Sequence, residues 1–202
     1  VLFLSSPISH PHRVSSKGIG LDDVTLHQCV RLGKFDTDRT VSFVPPDGPF
    51  ELMSYRATQN INQPFKIVAN VKEIGRTRLE VDVTVISTYP SSLAGRKVAI
   101  VIPTPKSTAV CKIDIKGRGK AKYDSDAGGI LWAIKKFPGG CEYVLRANVE
   151  LIASVNLDEK KWSRPPITMD FEVPMFTSSG LHIRYLTVSE KGYSEVFKWV
   201  KY

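Results

Sequence analysis

The sequence predicts an all-β, antiparallel protein. Short runs of alternating or β-branched residues recur along it, turn-forming clusters separate them, and no segment carries the i, i+3, i+4, i+7 apolar spacing of a long amphipathic helix. Many short strands at such intervals point to a sandwich or barrel and away from an α/β fold.

The chain opens with the apolar run Val1-Leu2-Phe3-Leu4 and no initiator Met, as expected of a piece of a longer protein. That run lacks a basic n-region and leads into Ser-Ser-Pro-Ile, so it is not a signal peptide. Residues 5–20, rich in Ser, Pro, His and Gly, read as an exposed, mobile loop. Arg39–Val44 reads as a strand closed by the turn Pro45-Pro46-Asp47-Gly48, with Glu51–Arg56 and Phe65–Val71 following. In Arg78–Ser87, Leu79, Val81, Val83 and Val85 alternate with Glu80, Asp82 and Thr84, the mark of a half-buried strand. Further strands are expected at Lys97–Ile102, Ile130–Lys135, Tyr143–Ala153, Ile167–Val173, Leu181–Val188 and Val196–Lys201. Proline-bearing turns such as Phe137-Pro138-Gly139-Gly140 and Arg164-Pro165-Pro166 separate several of them. There is no internal repeat.

Composition narrows the function classes. Apolar residues are 42% of the chain and charged residues 24%, enough for a packed core and too apolar for disorder. No stretch reaches the roughly 20 apolar residues that a membrane-spanning helix needs. Cys29, Cys111 and Cys141 are odd in number and scattered, so they imply neither a disulfide framework nor a zinc site, and they read as packed or incidental thiols. No N-x-[S/T] sequon occurs. The formal net charge of +8 favours acidic partners: nucleic acid, acidic protein or anionic lipid.

Catalytic machinery is not found. His10 and His12 fall in the expected loop, and His27 and His182 fall on expected strands as packing or surface residues. There is no G-x-S-x-G, no H-E-x-x-H and no metal-loop pattern, so the sequence implies no metal, no cofactor and no enzyme. Gly117-Arg118-Gly119-Lys120 lacks the spacing of a phosphate loop and sits between strands. Basic residues do cluster. On one strand Lys116, Arg118, Lys120 and Lys122 share a face, which makes a cationic stripe suited to an anionic leaflet. The bland alternative is a solvated face. Without interleaved aromatics the stripe does not make a nucleic-acid platform.

Longer strings carry a resemblance. His27-Gln28-Cys29-Val30-Arg31-Leu32, Arg39–Gly48, Phe50–Arg56, Gly75–Val81, Gly119–Tyr123, Trp162–Ile167, Ser179–Leu186 and Lys198–Tyr202 follow one another as in adaptin medium (mu) chains. From about Leu21 to the last residue the chain resembles the mu-homology part of a clathrin-adaptor medium subunit. Residues 75–81 and 97–105 resemble the plasma-membrane type, which is favoured, and residues 137–143 the trans-Golgi type.

The resemblance implies an elongated immunoglobulin-like sandwich with a second sandwich inserted: residues 1–60 and 177–202 around 61–176. It implies recognition of Tyr-x-x-Φ signals in cargo tails by addition of a strand along Val196–Lys201, during vesicle-mediated transport and endocytosis. Trp199 and Lys201 match the residues that frame the signal's tyrosine, with Lys201 replacing a family Arg and losing its planar fork. Ile183, Leu186 and Val200 match the lining of the bulky hydrophobic pocket, although the same residues also read as ordinary core. The family's first strands, with a Phe-x-Asp motif that accepts the tyrosine hydroxyl, and its last strand are expected outside this sequence. Exposed sheet edges in such a fragment imply self-association. Lys120 and Lys122 match two positions of a phosphoinositide-binding patch, with Lys116 and Arg118 beside them, while Asp124 and Ala133 replace two others. Other adaptor subunits are expected partners, at the cytoplasmic face of clathrin-coated pits or vesicles. The competing reading is a phosphoinositide- or acidic-surface-binding module without cargo specificity.

Overall fold

The computed structural model describes residues 2–5, 22–31, 40–152, 162–190 and 193–197, and these form strands, turns and bends, with no helix among them. Every strand pairing is antiparallel. The chain divides into two compact units, one of residues 1–62 and 175–202, the other of residues 63–174. The loop expected over 5–20 lies outside the described residues, except that Ser5 ends the first strand.

The first unit begins with β1 (Leu2–Ser5), β2 (Asp22–Leu26), β3 (Val30–Arg31), β4 (Thr40–Phe43) and β5 (Met53–Arg56). It is completed after the inserted unit by β14 (His182–Glu190) and β15 (Tyr193–Phe197). Five strands form a sheet in the order β15-β14-β1-β4-β3, and β2 pairs with β5. Val41, 1% exposed, is the centre of its core; Val24, Leu26, Phe43, Leu52, Met53, Ile183 and Leu186 are among those packed against it. Where the chain leaves this unit and returns, the Asn62 N–H donates to the Ser178 carbonyl at 2.8 Å, and the Tyr55 and Ser179 hydroxyls share a 2.7 Å hydrogen bond.

The second unit contains β6 (Phe65–Ile74), β7 (Arg78–Ser87), β8 (Ala94–Pro103), β9 (Thr108–Lys116), β10 (Lys120–Asp124), β11 (Gly129–Pro138), β12 (Glu142–Leu151) and β13 (Thr168–Glu172). Its sheets run β6-β7-β12-β9 and β10-β11-β8-β13. Alternation in sequence becomes alternation in burial: Val81, Val83 and Val85 of β7 are buried, as are Leu145, Ala147 and Val149 of β12. Val98, Ile100 and Ile102 of β8 and Ile130, Trp132 and Ile134 of β11 supply the other layer of core. One end is closed by aromatic rings, with Phe65 edge-on to Tyr89, Phe137 and Phe171 at centroid distances of 5.0–5.3 Å. The buried Tyr89 hydroxyl donates to the Phe137 carbonyl at 2.7 Å and accepts from the Gly95 N–H at 3.0 Å. Burial raises its pKa, and the Gly95 hydrogen bond partly opposes that.

Strand boundaries differ from expectation in both directions: β6, β8 and β11 run longer, β4, β5 and β13 are shorter, and β2, β3 and β9 form where no strand is expected. The second unit's β6 runs past Val71 to Ile74, where Gly75 takes a positive φ of 65° and turns the chain.

Candidate peptide edge and cationic face

Ile183 and Leu186 lie three residues apart on β14, so strict alternation would send them to opposite faces. The register resolves this. Leu2 pairs with Leu186, Phe3 with Tyr185 and Leu4 with Ile183, which leaves Arg184 as an extra residue on the bulged strand. The partners of Leu2 and Leu4 must share one face, so the bulge puts Ile183 and Leu186 on the same side. Both are half-buried and pack against Val41. They therefore take part in the core of the first unit while keeping some exposed surface.

Next to β14 stands β15, the terminal strand of the five-stranded sheet, paired with β14 from Leu186↔Phe197 to Glu190↔Tyr193. Val196 belongs to this terminal strand, and Leu186, by register, neighbours it. Trp199, Val200 and Lys201 lie outside the described residues.

The basic residues are arranged differently from the single stripe expected. β9 ends at Lys116 and β10 starts at Lys120; β9 pairs with β12 in one sheet, β10 with β11 in the other. Lys116 and the pair Lys120/Lys122 therefore belong to different sheets, and Arg118 sits exposed in the connection. The reason is local. Gly117 (φ 135°) and Gly119 (φ 117°) occupy conformations that L side chains rarely adopt. A Cβ on Gly117 would stand 2.5 Å from the Tyr143 ring, and one on Gly119 2.6 Å from Trp132 Nε1. The connection thus passes tightly over two aromatic rings as it changes sheets.

On β10, Lys120, Lys122 and Asp124 share the outward face, opposite Ala133, Leu131 and Gly129 of β11. Lys122 Nζ donates to Asp124 Oδ2 at 2.7 Å. The other carboxylate oxygen, Oδ1, accepts from the Asp126 and Ala127 N–H groups at 3.2 Å, which caps the turn into β11. These hydrogen bonds hold the Asp124 carboxyl below the usual carboxylate range, and Asp124 in turn raises the Lys122 pKa. One of the two outward lysines of β10 is therefore matched by a neighbouring carboxylate.

The remaining candidates are simply placed. His27 follows β2 in a turn, not on a strand, and its Nδ1 accepts from the Cys29 N–H at 3.2 Å. His182 lies on β14, and His10 and His12 lie outside the described residues. The three cysteines are free and half-buried. Among the described residues no group of His, Cys, Asp or Glu is arranged to hold a metal ion.

This arrangement of strands and motifs has a counterpart. The family model of the adaptor complexes medium subunit family matches residues 2–202. The chain belongs to that family. The AP-2 complex subunit mu of Dictyostelium discoideum is 59% identical over 187 residues, covering 93% of this chain and 42% of that protein. The AP-2 complex subunit mu of Caenorhabditis elegans is 43% identical over 196 residues, 95% of this chain and 44% of that protein. The AP-1 complex subunit mu-1-I of Caenorhabditis elegans is 40% identical over 190 residues, 94% of this chain and 44% of that protein. This medium-subunit chain thus spans less than half the length of the curated relatives it matches. The fold recurs in a homology model of the full-length AP-3 complex (TM-score 0.58, 16% identity, 90% of this chain and 50% of that one). It recurs also in the yeast delta-COP-I mu-homology domain (TM-score 0.53, 13% identity, 80% of this chain and 66% of that one).

Proposed function

We propose that this chain is the cargo-reading part of a clathrin-adaptor medium subunit, that it has no catalytic activity, and that it recognises Tyr-x-x-Φ signals in the cytosolic tails of membrane proteins. The observation that carries the reading is the family match over residues 2–202, joined to the position of β15 at the end of its sheet. A signal peptide adds to that edge as a further strand, so its main chain supplies affinity and its alternate side chains supply specificity. In this reading Trp199 and Lys201 frame the tyrosine, and Val200, Ile183 and Leu186 receive the bulky residue. The AP-2 relatives favour the plasma-membrane adaptor, working at the cytoplasmic face of clathrin-coated pits beside the other adaptor subunits. Peptide titration against the chain and its Trp199→Ala variant tests the proposal: signal binding that depends on the tyrosine and on Trp199 is expected.

The outward pair Lys120/Lys122 supports a companion role, contact with an anionic phosphoinositide surface, in which Lys116 and Arg118 contribute from the adjoining strand end and connection. If vesicles bind and signal peptides do not, the chain is an acidic-surface module without cargo specificity.

A further inference from the structure

The second unit carries a feature that the cargo reading does not use. Its β6 is ten residues long and terminal in its sheet, and among the described residues it pairs only with β7. Register places Ile67, Ala69 and Val71 opposite Val85, Val83 and Val81, all three buried, so these β6 side chains face the interior of the sandwich. Yet Ala69 is exposed. The opposing terminal strand, β13, has only five residues, and the chain leading into it, Trp162–Ile167, is not a strand. Between that segment and β6 lies a trough of about 360 Å³, with Ile67, Ala69 and Val71 on one wall and Trp162 and Ile167 on the other.

Three properties together specify an occupant. An unpaired strand edge offers alternating N–H and C=O groups that only an extended backbone can match. The trough is apolar and at the small end of ligand cavities, room for a few aliphatic side chains and not for a helix. The surrounding charge is net positive: Lys66 and Lys72 on β6, Arg76 in the following turn and Arg78 at the start of β7 are exposed, and none lies within ion-pair distance of a carboxylate among the described residues, although Glu80 stands across from Lys72 by register. Glu73 is already held by Arg164 at 2.7 Å. A second copy of this +8 chain would bring lysines against lysines at the same edge, which disfavours it.

We propose that the β6 edge and its trough dock an extended acidic peptide segment of a partner protein, added as a fifth strand, with alternate aliphatic side chains buried against Ile67, Ala69 and Val71. This site belongs to the second unit and does not depend on Tyr-x-x-Φ recognition.

The test uses a labelled peptide alternating Asp with Ile, long enough to run along β6, and an Asp/Ser peptide of equal charge. The whole chain is titrated by fluorescence anisotropy, and hydrogen exchange of the β6 amides is followed by mass spectrometry. The Asp/Ile peptide is expected to bind at least about tenfold tighter than Asp/Ser and to slow exchange along Phe65–Ile74. Ala69→Trp, which fills the trough from an exposed position, is expected to lose most of that binding. The double variant Lys66→Glu/Lys72→Glu probes the charge without touching the trough and should weaken it as well. Equal binding of both peptides would overturn the proposal, as would Ala69→Trp binding unchanged. It would also fall if the free chain's β6 amides were already protected and the peptide changed nothing.

Discussion

At the scale of single residues, Asp124 decides how much of the cationic face is available. Its carboxylate binds Lys122 with one oxygen and caps a turn with the other, so it neutralises a charge and holds local geometry at once. Asp124→Asn keeps an oxygen for the turn and removes the negative charge. A cationic side chain near an anionic leaflet is worth about 1 kcal/mol; freeing Lys122 is therefore expected to raise affinity for phosphoinositide vesicles about fivefold. Sedimentation with vesicles measures this, and no gain would mean that Lys122 does not meet lipid. The lysines themselves are legible in the sequence as a basic cluster, but the ion pair is not, because only the register of β10 fixes which side chains are neighbours. Ile183 and Leu186 make the same point. Simple alternation puts them on opposite faces, and only the bulge at Arg184 reunites them. Sequence pattern cannot reveal a bulge whose sole mark is one residue too many on one strand.

At the scale of elements, most strands follow from alternation, because each has one face against a core and one against water. Arg78–Ser87 is expected and observed with the same bounds. The region 108–124 is where pattern reading falls short: a single basic stripe is expected, and two strands in two sheets are found. The sequence does hold the signal, in Gly117 and Gly119, whose spacing marks a place where the backbone needs positive φ and close approach. Gly117→Ala is expected to lower stability by about 3 kcal/mol, combining a strained φ with overpacking against Tyr143. Thermal unfolding of the variant measures this, and a melting temperature equal to that of the parent chain would show that the connection is not held against the ring. The β6 trough is less legible still. It results from a long strand facing a short one across the sandwich, and strand lengths are what sequence reading fixes least well.

At the scale of the molecule, residues 63–174 form a continuous stretch with two facing sheets and a core of their own, set within the sequence of the first unit. The all-β class is readable from periodicity. The insertion is not, since alternation says which residues are buried and not which strands share a core; only the family resemblance implies an inserted sandwich. Residues 63–174 expressed alone are expected to fold with β-type circular dichroism and one cooperative thermal transition. A non-cooperative melt would mean that the second unit depends on the first.

In the proposed function the terminal strand of the first unit reads tyrosine-based signals. The most direct test of that reading is a fluorescence titration of a Tyr-x-x-Φ peptide, with a Tyr→Ala control, against this chain and against a chimera. In the chimera the chain replaces the matching segment of the full-length Dictyostelium discoideum AP-2 mu relative. The chimera is expected to bind the signal, ignore the control, and lose about thirtyfold in affinity on Trp199→Ala, the loss of an aromatic anchor. A chimera that binds both peptides alike, or neither, would contradict the proposed function.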